Sequence, residues 1–254
     1  MKQALLIAKK DLRSYFYSPI AYIVICMFLI DIGWMFFYQL SYFDTKLTDF
    51  NRLSFGQKPT LSDSVIRPLF GNMNVILLFL APFITMRLLA EEKKDHTIEL
   101  LLTAPVRSSH IILGKFLAAF SLLMIMVSIT VAYPLLLSTI AKPDWGVVFT
   151  CYLGIVFVAA SYVALGLFWS ARTENQIVAA IITFGTLLFL WLIGWAASRA
   201  GPVWSEVLTY LSIIGHYSNF AQGVVDTVDL IFYATFVGFF LFLTNLSFDN
   251  NQWS

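Results

Sequence analysis

Charged residues are scarce in this sequence. Only 12% of its 254 residues are Asp, Glu, Lys or Arg, about half the roughly 25% typical of a soluble domain. Mean hydropathy is +0.79, and six apolar runs of spanning length account for the shortfall. An ordinary soluble domain is therefore excluded. The net charge is +1 and no basic cluster tracks a phosphate backbone, so nothing points to nucleic acid. Cysteine is nearly absent. Cys26 falls in the inner half of the first apolar run and Cys151 near the outer end of the fourth, which predicts two small buried hydrophobes and no disulfide. The histidines His96, His110 and His216 are scattered, with no metal-site spacing. Nucleotide-hydrolysis and hydrolase motifs are missing too. The Gly114-Lys115 pair runs into Phe116 and has no glycine five places upstream, so it is not a phosphate loop. No catalytic, cofactor or metal residue is assigned. An intramembrane enzyme would need polar groups facing each other at one depth, and no such set is visible.

What remains reads as an all-α, polytopic membrane protein, a single transmembrane domain over 1–254. Residues 1–18 form an amphipathic helix, with Lys2, Lys9 and Arg13 on one face and Leu5, Leu12, Tyr15 and Phe16 on the other, suited to the membrane surface. Spans are predicted over 20–38, 72–89, 111–140, 147–169, 176–197 and 230–246. The N-terminal apolar run is too long for a cleavable signal, and it follows a helix-forming segment. Residues 41–71 read as an outer loop with little pattern, Pro82 as a kink, and 141–146 (AKPDWG) as a tight turn. Residues 198–229, interrupted by Gly201, Pro202, Gly215 and Gly223, read as short outer-face helices. Asp226, Thr227 and Asp229 supply caps for the sixth span. Ten of the sixteen bases fall on the N-terminal side of the membrane, which places both termini in the cytoplasm.

One stretch breaks the apolar pattern. Residues 87–115 carry Glu91, Glu92, Asp95 and Glu99 beside Arg87, Lys93, Lys94, Arg107 and Lys115, and cannot lie in hydrocarbon. Asp95 suits a helix N-cap, Ile98, Leu101 and Leu102 share one face, and Pro105 disfavours helix at Ala104. The product is a short helix, sticky on one side, hung between two spans: a docking element. Glu91 and Glu92 read either as solvated carboxylates opposite Lys93 and Lys94 or as contacts to a partner's groove. The unburied apolar face beside them favours the partner.

Other single residues have two readings. Asp31, the one acid deep in a span, is either a functional contact or, the favoured reading, a group facing a partner subunit or watery cleft. Trp34, Trp145, Trp169, Trp191, Trp195 and Trp204 suit an interfacial belt. The 210–220 segment either lines an exit or packs the outer face.

The block PFITMRLLAEEKKDHTIELLLTAPVRSSHIILGKFLA, residues 82–118, resembles the permease subunits of ABC type 2 exporters, nearest to the gliding-motility-type branch. Weaker agreement lies in ALGLFWSARTENQ at 164–176 and HYSNFAQGVVDTVDLIFY at 216–233. The resemblance implies an elbow helix, six spans, a coupling helix between the second and third, and short outer helices before the sixth. By position it assigns Glu91, Glu92, Thr97, Ile98, Glu99 and Leu101 to the segment that sits in an ATPase cleft, with Asp95 and Leu102 beside them. His96 stands where similar permeases often have Gly, which touches the geometry of the first turn. His216, Phe220 and Asp226 are the candidates for an outer-face gate.

The expected function is the permease subunit of an ATP-driven exporter in the bacterial inner membrane, itself no enzyme. Its expected partners are an ABC ATPase that holds ATP and Mg, a second permease chain (a copy or a relative) and the lipid bilayer. The alternative is a force-transmitting scaffold that drives a periplasmic machine.

Overall fold

The computed structural model describes residues 2–53, 59–95, 107–197 and 201–250. Among them the chain is nearly all helix. In order come α1 (Lys2–Tyr17), α2 (Pro19–Leu53), a π-helical turn (Ser62–Ile66), α3 (Arg67–Thr85), α4 (Arg87–Lys94), α5 (Ser108–Ile129), α6 (Ala132–Ile140) and α7 (Trp145–Arg172). The chain continues with α8 (Gln176–Ala197), α9 (Pro202–Leu211), α10 (Ile213–Ala221) and α11 (Thr227–Asn250). Among the described residues, six helical stretches are long and apolar enough to cross a membrane.

Several boundaries depart from the sequence reading. Most of the described part of 41–71 is helical, not loop: α2 continues to Leu53, and the π-helical turn (Ser62–Ile66) leads directly into α3. The polar segment stays helical because it supports itself locally. Thr45 and Thr48 donate to the carbonyls four residues back, and the Lys46 ammonium lies over the Tyr42 ring. Cys26 is exposed on α2, not buried. The third span is two helices, broken at Thr130–Val131. Pro134 cannot donate to Thr130, and the Thr130 hydroxyl turns to the Val127 carbonyl and to Tyr152. Pro82 sits inside α3, and the interruption comes one turn later, at Met86.

Other local readings agree with the structure. Asp144 in the 141–146 turn caps α7 by accepting from the Gly146 and Val147 amides. Asp226 accepts from the Val228 amide at the start of α11. Residues 202–221 form the two short helices α9 and α10, and the chain leaves α10 through Gly223 at φ 88°, a conformation that favours glycine.

Helix α7 is the centre of the bundle. Ile155, Val158, Tyr162 and Leu165 are fully or almost fully buried, with Met73 and Leu77 of α3 and Phe28 and Ile32 of α2 in the same core. Gly166 makes the α3 crossing close. A Cβ there would overlap the Thr85 side chain, so any side chain would force the helices apart. In mid-core the Tyr162 hydroxyl donates to the Asn74 side-chain carbonyl at 2.8 Å, while the Asn74 amide nitrogen is buried with no hydrogen-bond partner among the described residues. By contrast α2, α8 and α11 keep broad outer faces exposed, including Met27, Trp34, Ile181 and Phe242.

Candidate functional site: the α4 stem and the opposite end

The charged stretch begins in the structure as α4, and its attachment to the bundle follows from the break at Met86. A new helix start leaves amide groups without intrahelical partners. Here no local side chain caps α4. Ser170 of α7 does so from across the bundle: its hydroxyl accepts from the Leu89 and Ala90 amides at 3.0 and 3.1 Å and donates to the Met86 carbonyl at 3.1 Å. Lys93 then donates to the Ala171 carbonyl at 2.6 Å, placing a cation on the C-terminal end of α7. Leu88, Leu89 and Ala90 are buried between these contacts.

On the other side, Glu92 accepts from the Lys115 ammonium of α5 at 2.7 Å. Asp11 of α1 lies 3.4 Å from the same nitrogen, and Lys115 is 3% exposed. One buried cation thus joins the surface helix, the stem and the third span. Gly114 allows this approach, since a Cβ there would meet Ile7 and the Ala4 carbonyl at under 3 Å. The Tyr15 hydroxyl donates to the Ile84 carbonyl at 2.9 Å, and burial raises its pKa, so it remains a donor. A cavity of about 540 Å³ opens between α1, α2 and α4, lined by Lys10, Arg87 and Glu91 below and Val24, Phe83 and Leu122 above.

The predicted coupling residues divide accordingly. Glu91 is exposed, Glu92 faces inward onto Lys115, and Asp95 closes α4 with its amide on the Glu91 carbonyl. Thr97, Ile98, Glu99, Leu101 and Leu102, with the short helix expected there, lie outside the described residues. Sequence reasoning missed Lys115 and Ser170 as parts of the site. A lone lysine at the start of an apolar run was the available signal, because such a base needs a counter-charge at its own depth.

At the opposite end, His216, Phe220 and Asp226 do not converge. Phe220 is fully buried in packing against Phe157 and Tyr233, and Asp226 is exposed at its cap. His216 pairs with Asp229, Nδ1 to Oδ1, at 2.6 Å. Its Nε2 donates to the Tyr210 carbonyl at 2.9 Å, Asn219 donates to the other Asp229 oxygen at 2.9 Å, and Phe232 stacks on the ring. Both ring nitrogens thus face oxygen atoms within hydrogen-bond distance. The sequence offered Asp229 only as a capping residue.

Among the described residues, six apolar spans, α7 at their centre and five around it, with a charged stem fixed to the base of the bundle, define a multi-pass membrane protein of the permease type. The family model described as ABC-2 family transporter protein matches residues 5–246, and the chain belongs to that family. It is accordingly an ABC transporter permease subunit, the membrane component that lacks an ATPase motif of its own. No curated protein matches the chain.

Proposed function

We propose that this permease subunit couples ATP hydrolysis by a separate ABC ATPase to the export of a substrate, and that residues 91–107 are where the ATPase takes hold. The observation that carries this reading is the attachment of α4. Ser170 and Lys93 fix it to α7, and Glu92 fixes it to Lys115 and through it to α1. A displacement applied beyond Asp95 is therefore delivered to three spans and the surface helix together, as one rigid unit. The chain lies in the bacterial inner membrane with both termini cytoplasmic, beside a second permease chain, and ATP and Mg belong to the ATPase. The 82–118 block favours the gliding-motility-type branch of the family.

The resemblance assigns Glu92 and Leu101 alike to the segment that meets the ATPase, so Glu92→Ala and Leu101→Asp both probe docking. With Glu92 turned inward, its removal also loosens the stem, so Leu101→Asp is the cleaner test. In membranes that also contain the ATPase which co-purifies with the wild-type chain, Leu101→Asp should cut recovery of the ATPase at least tenfold while thermal unfolding stays at the wild-type temperature. Recovery at wild-type yield would refute the docking assignment.

A further inference from the structure

The outward face of α2 carries a polar pair that hydrocarbon cannot satisfy. Met27, Asp31, Trp34 and Tyr38 recur at spacings of four, three and four, one continuous stripe, and all are exposed: Trp34 by 74%, Tyr38 by 63%, Met27 by 59%. Asp31 lies about 18 Å along the axis from Pro19 at 1.5 Å per residue, near the middle of a bilayer core of roughly 30 Å. Among the described residues, the exposed positions of α8 from Ile177 to Leu192 are all apolar or glycine, and the one acid near the start of α11, Asp229, is buried against His216. Lipid can therefore cover the outer faces of α8 and α11, but it leaves the Asp31 carboxyl without a donor and the Trp34 indole N–H without an acceptor. Trp34 was read as part of an interfacial belt; about 22 Å from Pro19, it stands one turn beyond Asp31 on the same face.

We propose that this stripe is the contact surface for a second copy of the same chain, with the Asp31 carboxyl of each copy accepting the Trp34 indole N–H of the other. The proposal rests on the paired-permease reading above and deepens it. Three features select a second copy over another occupant. An acceptor and a donor on one face, one turn apart, are self-complementary, and a two-fold axis normal to the membrane satisfies both twice over. Helical side chains lean toward their own N-terminus, so Trp34 reaches down the roughly 4.5 Å that separates it from the level of its partner's Asp31. Asp31 and Trp34 stand about 60° apart around the helix, with Met27 between them at the centre of the stripe, so all three fit within one helix–helix seam.

The test uses the full chain in lipid vesicles, with Cys26→Ala to remove the exposed native thiol. Met27→Cys should form a disulfide-linked dimer on mild oxidation, while Phe239→Cys on the exposed face of α11 should not. Adding Asp31→Leu or Trp34→Leu to Met27→Cys should lower the cross-linked fraction at least tenfold, and Asp31→Asn, which keeps a carbonyl acceptor, should restore most of it. If the wild-type chain is a dimer by single-molecule photobleaching but Met27→Cys stays unlinked, or if Asp31→Leu has no effect, the assigned face is wrong while the paired reading stands. Pairing only with a different permease chain overturns the second-copy assignment. A monomer in the presence of the ATPase overturns the paired reading as well.

Discussion

Both ends of the bundle hold a buried charge cluster, and the two are built differently. Opposite the stem, His216, Asp229 and Asn219 close on one another within 2.9 Å and are sealed, with the His216 and Asp229 side chains 8% and 3% exposed. They tie α10 to the start of α11, with α9 joined through Tyr210. At the stem end, Lys115 serves acids on two separate helices at 2.7 and 3.4 Å, and those acids keep 20% and 18% of their side chains in contact with solvent. The first is a closed lock on a local corner. The second is a shared joint, partly wet, on which several elements meet. A sealed network resists rearrangement because each broken contact strands a buried polar group. A partly hydrated joint can exchange one acid for another with water filling in. The molecule is thus stiff at one end and equipped to move as a unit at the other.

Breaking the lock should cost most. His216→Ala leaves Asp229 buried with one donor and should destabilise the chain by about 3–5 kcal/mol, read by thermal unfolding in detergent. Asp229→Asn is the contrasting change. An Asn there can donate to Nδ1 of a neutral imidazole while accepting from Asn219, so its cost should stay below about 1 kcal/mol. An equal loss in both variants would show that the Asp229 carboxylate itself, and not a hydrogen bond that an amide can replace, holds this corner.

Opening the joint should cost less, because its acids can rehydrate. Lys115→Met should lower stability by about 2–3 kcal/mol, below the full penalty for stranding a buried charge, and should free α1 to proteolysis near Arg13. An α1 that stays protected would mean that packing at Gly114 alone holds the surface helix.

Ser170→Ala should cost about 1–3 kcal/mol for the amides of α4 left unsatisfied. Its effect on coupling should be the larger one. ATPase binding should persist while stimulation of ATP hydrolysis by the permease falls severalfold. Loss of binding and of stimulation together would place Ser170 in the docking surface instead.

Local chemistry was legible in the sequence and long-range pairing was not. Apolar runs marked the spans, and Asp144 and Asp226 announced their caps because a cap reaches only two or three residues. Pro134 held the signal for the break in the third span, yet an unbroken apolar run from Ile111 to Ile140 masked it. The extension of α2 was hidden by its polarity, which reads as loop until its threonine–carbonyl bonds are seen. Glu92 and Lys115 are separated by 23 residues, and Ser170 lies 81 from Leu89. No periodicity connects positions so far apart, so the attachment of the stem emerged only from the packed helices.

The central claim is that α4 and the base of α7 move as one body. It is tested most directly by a distance measured between spin labels at Lys94→Cys and Arg172→Cys, both exposed, in the Cys26→Ala background. The partner ATPase is cycled between nucleotide-free and ATP-bound states in vesicles during the measurement. The account predicts one unchanged distance distribution in both states. A shift of about 5 Å or more, the size of a one-turn slip, would contradict it.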